Sequence, residues 1–278
     1  IVIPSAGVRT FTAGISTISG FKLYNAQETP TITIKETLTG SAGTTPAITV
    51  WPEALSNFLV QQPNQTHSIG GVRQTAGIPF AVKVTARDQY NNIKRDYTGR
   101  INFKSSNDNL VQFPSGLQQY QLSDAGIRTF SNAVTINKAD AYWLRVGDSP
   151  DAFKTGDLQN IVIAAGVPVD NTSELLFTNY TNTTTYPASV VAGDFISVIV
   201  RPRDIGGNLL CDCQNVKVYL NAVDKHRNGG AVNGIPALVT IPVTDNHDGS
   251  YTASVRVSDM SQTNLITASV NGTTISTT

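Results

Sequence analysis

Acidic and imidazole side chains lie closest together in the stretch TDNHDGSYTASVRV, which begins at Thr244. Asp245, His247 and Asp248 fall within four consecutive positions, beside Gly249. Carboxylate and imidazole groups bind metal ions and transfer protons, so this spacing raises a metal centre and a catalytic cluster as two interpretations. The third interpretation is a tight turn, because Asp and Asn side chains bond to nearby backbone and Gly adopts positive φ without steric cost.

The sequence around this cluster favours the turn. DNHDG comes directly before the alternating stretch SYTASVRV, and LSDAG stands at the same place before IRTFSNAV earlier in the chain. A Ca²⁺ loop needs oxygen ligands at alternate positions, where His247 and Gly249 fall instead. We therefore predict that Asp245, Asn246, Asp248 and Gly249 form a hairpin turn, with Gly249 at positive φ.

The other histidines and the cysteines form no catalytic or metal-binding pattern. His67 and His226 are distant from His247 in the sequence, and no G-x-S-x-G, H-E-x-x-H or P-loop motif is present. Cys211 and Cys213 are separated by one residue, so a disulfide between them requires a turn, and two free thiols in a loop are the alternative. We expect a chain that is not an enzyme and has no cofactor.

The composition argues against nucleic acid and lipid as partners. Lys+Arg and Asp+Glu are both 20, and there is no basic stripe and no apolar run long enough to span a bilayer. Charged residues make up 14% of the chain, against about a quarter in ordinary soluble domains. Thr, Ser, Asn and Gly replace them, which is typical of extracellular and cell-surface β-proteins. The first residue is Ile1 rather than Met, so we expect a processed or partial piece of a longer chain.

Five N-glycosylation sequons are compatible with an extracellular location. In a sequence this rich in Ser and Thr, about four would arise by chance, so they permit glycosylation without arguing for it. The sequons begin at Asn64, Asn171, Asn179, Asn182 and Asn271.

Alternation of apolar and polar residues predicts an all-β fold. It indicates strands at FAVKVTA, FISVIV, GRINFK, AYWLRV, NVKVYLNAV and YTASVRV, with turn residues between them at short intervals. This pattern is typical of a β-sandwich. Phe11, Phe130 and Tyr251 each lie early in a strand that follows a turn, and we expect their side chains to face inward.

Internal repeats divide the chain into units. Ala76–Asp88 (AGIPFAVKVTARD) matches Ala192–Asp204 (AGDFISVIVRPRD), and SAGVRTFT near the start matches DAGIRTFS in the middle. Repeats of this length indicate one sandwich per unit. We predict the C-terminal half of a sandwich over residues 1–50 and complete sandwiches over 51–166 and 167–278. Half a sandwich cannot bury its inner face alone, so either its first half is missing from this sequence or another chain supplies it.

Three residues at the expected unit junctions receive specific roles. Asp88 and Asp204 close the repeated strand, and we predict that each caps the turn that follows, with Ca²⁺ binding at the junction as the alternative. Trp51 lies between the first and middle units, and we predict that it packs between neighbouring domains. Stacking of Trp51 on a sugar ring is the alternative.

The chain resembles tandem immunoglobulin-like repeats of the filamin type and of large bacterial surface proteins. The residues that carry the resemblance are AGIPFAVKVTARDQYNN, YTGRINFKSSNDN, LSDAGIRTF and VTDNHDGSYTASVRV. The resemblance covers most of residues 52–278 and implies tandem Ig-like β-sandwich domains. The last unit departs from the pattern at CDC and at the inserted segment DKHRNGGAVNGIPA.

The leading functional interpretation is a non-catalytic structural segment of a large cell-surface protein. The segment would form a rod, filament or lattice with neighbouring copies or other surface proteins, and a neighbouring subunit would supply missing strands. The main alternative is an adhesin module that binds glycans or protein through loops at the sandwich ends, such as DKHRNGGAVNGIPA. An intracellular filamin-like scaffold and an accessory domain of an enzyme are two further alternatives.

Overall fold

The computed structural model describes residues 9–63, 73–149, 153–177, 195–211, 214–222, 237–256 and 265–275. These ranges contain nineteen strands and three 3₁₀ turns, so the all-β prediction is confirmed. No helix in the described ranges is long and apolar enough to cross a membrane. The 3₁₀ turns are Asp108–Leu110, Leu122–Asp124 and Asp170–Thr172. The strands are β1 (Thr33–Lys35), β2 (Ala42–Thr44), β3 (Asn57–Gln61), β4 (Arg73–Thr75), β5 (Phe80–Arg87), β6 (Arg100–Ser105), β7 (Val111–Gln112), β8 (Gln118–Gln119), β9 (Ile127–Ile136), β10 (Ala141–Ser149), β11 (Thr155–Ala164), β12 (Glu174–Phe177), β13 (Phe195–Arg201), β14 (Val216–Ala222), β15 (Ala237–Ile241), β16 (Val243–Asp245), β17 (Tyr251–Arg256), β18 (Leu265–Val270) and β19 (Thr273–Ile275).

The middle of the chain folds as an Ig-like sandwich of two sheets. One sheet has the order β3-β5-β9-β7 and the other has the order β4-β11-β10-β6-β8. All neighbours are antiparallel except β4 and β11. Alternate residues of both sheets point into one core, in which Val84, Ile101 and Leu144 are fully buried. The stretch that begins at Trp51 leads into strand β3, whose Phe58 and Val60 are buried in this core.

The last part of the chain forms a second sandwich with its own core. Its sheets have the orders β12-β13-β17-β16 and β15-β14-β18-β19. Val198 and Val255 from one sheet meet Val270 and Ile275 from the other, and all four are fully buried. The two cores share no residue, so each sandwich is stabilised by its own apolar contacts.

The first unit has no comparable core in its described residues, 9–50. It contains the β1–β2 hairpin, whose six residues are all exposed. Phe130 and Tyr251 are buried as expected, at 6% and 3% exposure, but Phe11 is 64% exposed. The inward orientation expected of Phe11 is therefore wrong. Phe130 and Tyr251 lie in strands that a second sheet faces, and the described part of the first unit has no facing sheet.

Candidate functional site

A buried carboxylate organises the turn that follows β5. Asp88 and Asn92 are 0% and 4% exposed. One Asp88 oxygen, Oδ1, accepts hydrogen bonds from the backbone N–H groups of Tyr90 at 2.8 Å and Asn92 at 2.9 Å. The other, Oδ2, accepts from the Asn92 amide Nδ2 at 2.8 Å and from the backbone N–H of Glu53 at 3.0 Å. The carboxylate thus joins the turn to the segment that leads into the middle sandwich.

The Asn92 side chain extends this network into the first unit. Its Nδ2 donates to the carbonyl oxygen of Tyr24 at 2.7 Å, and its Oδ1 accepts from the backbone N–H of Ala26 at 2.9 Å. The amide thus binds a carbonyl and the N–H two residues later, the two groups that a residue of a neighbouring parallel strand would bind. The rings of Tyr24 and Tyr90 lie beside this contact, with centroids 4.7 Å apart.

The turn after β13 repeats the same arrangement. Asp204 and Asn208 are also 0% and 4% exposed. Asp204 Oδ1 accepts from the backbone N–H groups of Gly206 and Asn208, both at 2.9 Å. Its Oδ2 accepts from the backbone N–H of Gly166 at 2.7 Å and from Asn208 Nδ2 at 2.9 Å. Gly166 therefore occupies the place that Glu53 has in the earlier turn.

Asn208 bonds to the end of the middle sandwich in the way that Asn92 bonds to the first unit. Its Nδ2 donates to the carbonyl oxygen of Asn137 at 2.7 Å, and its Oδ1 accepts from the backbone N–H of Ala139 at 2.9 Å. A side chain on Gly206 would collide here, since a Cβ would lie 1.8 Å from the Asn137 oxygen. We call the Asp88–Asn92 network, with Tyr24, Ala26 and Glu53, the first joint. The second joint is the Asp204–Asn208 network with Asn137, Ala139 and Gly166.

Sequence reasoning singled out the aspartates of the joints but missed the asparagines. The structure places Asp88 and Asp204 at the start of the turns, where their oxygens accept from backbone N–H groups two and four residues later. The available signal was an Asn four residues after each Asp, in DQYNN and DIGGN. That spacing alone did not show what the amides would contact.

Hydrogen bonding keeps the Asp88 carboxylate charged. Burial by itself raises the pKa of Asp88, but the hydrogen bonds from Asn92, Glu53 and Tyr90 outweigh it, so the pKa lies below its ordinary value. Four N–H donors occupy the carboxylate oxygens, which can accept about four hydrogen bonds. Calcium at Asp88 would have to displace these donors. Among the residues that the structure describes, no three His, Cys, Asp or Glu side chains are grouped as metal ligands.

The cluster near Thr244 occupies a hairpin loop between β16 and β17. Asp245 lies opposite Tyr251 at the end of the ladder. Its Oδ1 accepts from the backbone N–H of His247 at 2.8 Å, and Asp248 Oδ1 accepts from that of Ser250 at the same distance. The carboxylates are thus used to hold the loop closed.

The shape of this loop depends on three of its residues. Asn246 Nδ2 donates to the hydroxyl oxygens of Ser250 at 3.0 Å and Thr252 at 2.8 Å. Gly249 has φ 83°, as predicted for the turn, and His247 also has positive φ, 60°, which the sequence did not indicate. The His247 side chain is 87% exposed, so it points to solvent rather than into a site.

The packing role predicted for Trp51 is wrong for this chain. Trp51 is 71% exposed. The junction is bridged instead by polar groups, namely the backbone N–H of Glu53 on Asp88 and the amide of Asn92 on Tyr24. These hydrogen bonds join backbone groups to the side chains of Asp88 and Asn92, and the indole of Trp51 lies on the surface.

The cysteines and the insert of the last unit are only partly described. Cys211 is exposed, while Cys213 lies outside the described residues, so the disulfide and the two free thiols both stay predictions. The segment DKHRNGGAVNGIPA, on which the adhesin interpretation depends, lies outside them up to Ala237, where β15 begins.

Two of the five sequons are described, and both asparagines are exposed. Asn171 lies in a 3₁₀ turn, and the hydroxyl of its sequon, on Ser173, donates to the carbonyl oxygen of Val169 at 2.7 Å. Asn271 accepts from the backbone N–H of Asn215 at 2.9 Å. Glycosylation stays a prediction at these two positions and at Asn64, Asn179 and Asn182, which lie outside the described residues.

No protein-family model matches the chain, and no curated protein matches it. Among solved structures, the chain is similar to FdeC, an adhesin of Escherichia coli, with 14% identity and a TM-score of 0.47 over 89% of this chain and 73% of that one. It is similar to domains 4–9 of the surface layer protein SbsC, with 20% identity and a TM-score of 0.29 over 90% and 34% of the two chains.

One of the similar solved structures is that of an enzyme. A glycosyl hydrolase family 2 member from Bacteroides cellulosilyticus has 12% identity and a TM-score of 0.26 over 77% of this chain and 27% of that one. The chain therefore spans about a third or less of the SbsC and hydrolase structures. Sandwiches recur in proteins of unrelated roles, so the fold by itself does not indicate a function. The filamin-type assignment stays a prediction.

Proposed function

We propose that this chain is a non-catalytic structural segment of a large extracellular or cell-surface protein, in which the two joints couple successive Ig-like sandwiches. The observation that carries the proposal is the repetition of one buried Asp–Asn network at two successive junctions. The Asp and Asn side chains of the two joints, Asp88, Asn92, Asp204 and Asn208, are at most 4% exposed. Groups so deeply buried, with their hydrogen bonds made to backbone, are placed to hold that backbone in position.

The energetics of the joints support restricted movement between units. A hydrogen bond to a charged group contributes about 1.5–3 kcal/mol, and a buried polar group left unpaired costs about 1–3 kcal/mol. Rotation of one unit away from the next would break the hydrogen bond between Asn92 and Tyr24, or that between Asn208 and Asn137. The separated groups would then be exposed to water or buried without a hydrogen-bond partner. The linkers are short and apolar with a proline, unlike a Gly/Ser tether. The segment would therefore act as a stiff spacer.

Assembly with neighbouring chains is part of the same proposal. The described residues of the first unit expose Phe11, Ile15 and Ile34 at 64%, 73% and 54%. Apolar side chains of this size are stabilised when another surface covers them. Neighbouring copies of the chain or other surface proteins are the partners that the proposal implies.

Amide hydrogen exchange tests the coupling directly. The backbone N–H groups of Ala26 and Ala139 donate to Asn92 and Asn208, so each reports on one joint. We expect Asn208→Ala to raise the exchange rate at Ala139 about tenfold or more while the core amides stay protected. Small-angle scattering of the double variant, Asn92→Ala with Asn208→Ala, should show a broader distribution of distances.

The matched control is Asn109→Ala, since Asn109 is exposed in a 3₁₀ turn of the middle unit. It should leave both the exchange rates and the scattering unchanged. Scattering curves that are identical for the wild type and the double variant would show that the joints do not restrict the units, and the proposal would be wrong.

A further inference from the structure

Among the described residues, one edge of the ten-residue strand β9 is paired at two positions only. β9 pairs with β5 on one side, but on the other side β7 reaches only Ile136 and Thr135. Pairing stops there because Pro114 has no N–H to donate and Asn132, at φ 49°, forms a bulge. The chain then crosses to the facing sheet, where β8 pairs with β6. β7 is the one described strand on this side of β9.

The hydrogen bonds between β5 and β9 show which backbone groups of β9 point towards the open edge. Ala86 N–H donates to the carbonyl of Gly126 at 2.8 Å, and the register continues through Val84 opposite Arg128. Hydrogen-bonded pairs alternate along antiparallel strands, so Arg128 and every second residue bond towards β5. The N–H and C=O of Thr129 therefore point away from β5, towards the open side.

A groove with an aromatic floor runs along this edge. It encloses about 540 Å³ and is lined by residues that include Phe113, Pro114, Arg128 and Phe130. The Phe103 ring packs against two of these side chains, with its centroid 6.0 Å from that of Phe113 and 5.2 Å from that of Phe130. The Arg128 guanidinium lies 4.7 Å from the Phe130 centroid, so an added strand would pack on Phe113 and on the Arg128–Phe130 pair. A strand laid beside β9 would bond to the Thr129 backbone and place every second side chain over these side chains.

The chain itself contains a strand with the complementary pattern. Residues 31–35 read TITIK, in which Thr and Ile alternate. Among the strands that the structure describes, β1 (Thr33–Lys35) pairs with β2 alone, and no described strand lies along its other edge. All three of its residues are exposed, and Ile34 is 54% exposed.

We propose that β1 of one chain adds as a strand to the open edge of β9 in a second copy. Ile34 of β1 and Ile32, just before β1, would pack over the groove, and Thr33 would lie beside Thr129. The inference rests on the proposed assembly role and names the two surfaces that meet. Because these surfaces differ, the contact is head-to-tail and continues into an open chain of subunits unless the rotation closes it into a ring.

Sedimentation velocity over a range of concentrations tests the contact with two variants. Ile34→Asp disables β1, and Thr129→Pro removes the outward N–H of β9 without removing a bond to β5. We expect the wild type to form oligomers and each variant alone to stay monomeric. An equimolar mixture of the two variants should form dimers and nothing larger, because it retains one working β1 edge and one working β9 edge.

The control is Leu38→Asp, in the loop of the same hairpin. Leu38 is 93% exposed and lies outside β1, so this variant should assemble like the wild type. Equal loss of assembly in Leu38→Asp would mean unspecific apolar association and would overturn the proposal. A wild-type chain that remains monomeric at about 1 mM would do the same.

Disulfide trapping gives a second measurement that does not depend on the folding of Thr129→Pro. Thr33→Cys with Thr129→Cys, in a Cys211→Ser, Cys213→Ser background, should yield a ladder of covalent oligomers on oxidation, whereas Thr33→Cys with Asn109→Cys should not. A disulfide formed within single chains, or equal ladders from both pairs, contradicts the proposal. Ala139 exchange is measured within one chain, so failure of assembly and failure of the joints remain distinguishable.

Discussion

The side-chain amide of Asn208 donates to the backbone carbonyl of Asn137 at 2.7 Å. A buried residue of the last sandwich is thereby hydrogen-bonded to the end of the middle one. Asn92 and Tyr24 stand in the same relationship at the preceding junction. The coupling between units is therefore encoded in a turn within each sandwich and not only in the linker that precedes it.

Replacing Gly206 by alanine should open the second joint. The new Cβ would lie 1.8 Å from the Asn137 carbonyl oxygen, and the two backbones would have to separate. We expect Ala139 to lose its protection from amide exchange and the last sandwich to lose about 1–3 kcal/mol of unfolding free energy. Gly207→Asn is the control, because Gly207 has φ 70° with no atom near its Cβ position and Asn91 holds φ 64° at the matching place. Retained protection at Ala139 in Gly206→Ala would contradict the close approach.

The stability of the middle sandwich should fall in acid through Asp88. Its pKa is below the ordinary value when folded, so it contributes stability above the unfolded pKa of about 3.9 that is lost as pH drops through the folded pKa. Asp88→Asn should be less stable than the wild type at pH 7. Its side chain would place an NH₂ group where a carboxylate oxygen now accepts hydrogen bonds from N–H donors. The difference in unfolding free energy between the wild type and Asp88→Asn, measured by urea unfolding, should become smaller below about pH 4. A difference that is constant from pH 7 to pH 2 would show that the charge of Asp88 plays no part.

Gly156→Ala should destabilise the middle sandwich. A Cβ at this position in β11 would lie 2.0 Å from the carbonyl oxygen of Phe58 in β3, so the two sheets would be forced apart. We expect the unfolding free energy to fall by about 1–3 kcal/mol. Unfolding in urea, monitored by the fluorescence of Trp143 in β10, measures this loss. Gly43→Ala, with no atom within 4 Å of its Cβ position, should stay within about 0.5 kcal/mol of the wild type. Equal stability of the two variants would argue against this contact.

The β16–β17 loop should respond in opposite directions to changes at its two positive-φ residues. His247→Gly should stabilise the last sandwich by up to about 1 kcal/mol, because a left-handed conformation costs an L-residue about 1–2 kcal/mol and Gly nothing, while its greater unfolded-state freedom offsets part of the gain. Gly249→Ala should destabilise it, since φ is 83° and a Cβ would lie 2.7 Å from Leu209. Thermal unfolding followed by circular dichroism measures both, and destabilisation by His247→Gly would show that the imidazole has a role beyond the turn.

Local patterns predicted the strands and turns well, and long-range contacts poorly. The strands beginning at Phe80, Phe195 and Tyr251 follow the alternation of their residues. Asn92 escaped notice because its partners, Ala26 and Tyr24, are 66 and 68 residues away in the sequence. Trp51 was misjudged for a related reason, since an aromatic residue at a junction is buried only if the packing there leaves room for its ring.

The sequence by itself determined that this protein is all-β, that its units repeat, and that Asp88 and Asp204 stand at turns. These properties follow from alternation and turn chemistry, which act over a few residues. Only the tertiary structure decided that Asn92 and Asn208 bond to the preceding unit, that Phe11 is exposed, and that β9 has an open edge. Such features depend on which backbone groups remain unpaired once the sheets have packed, and no local pattern of residues specifies that.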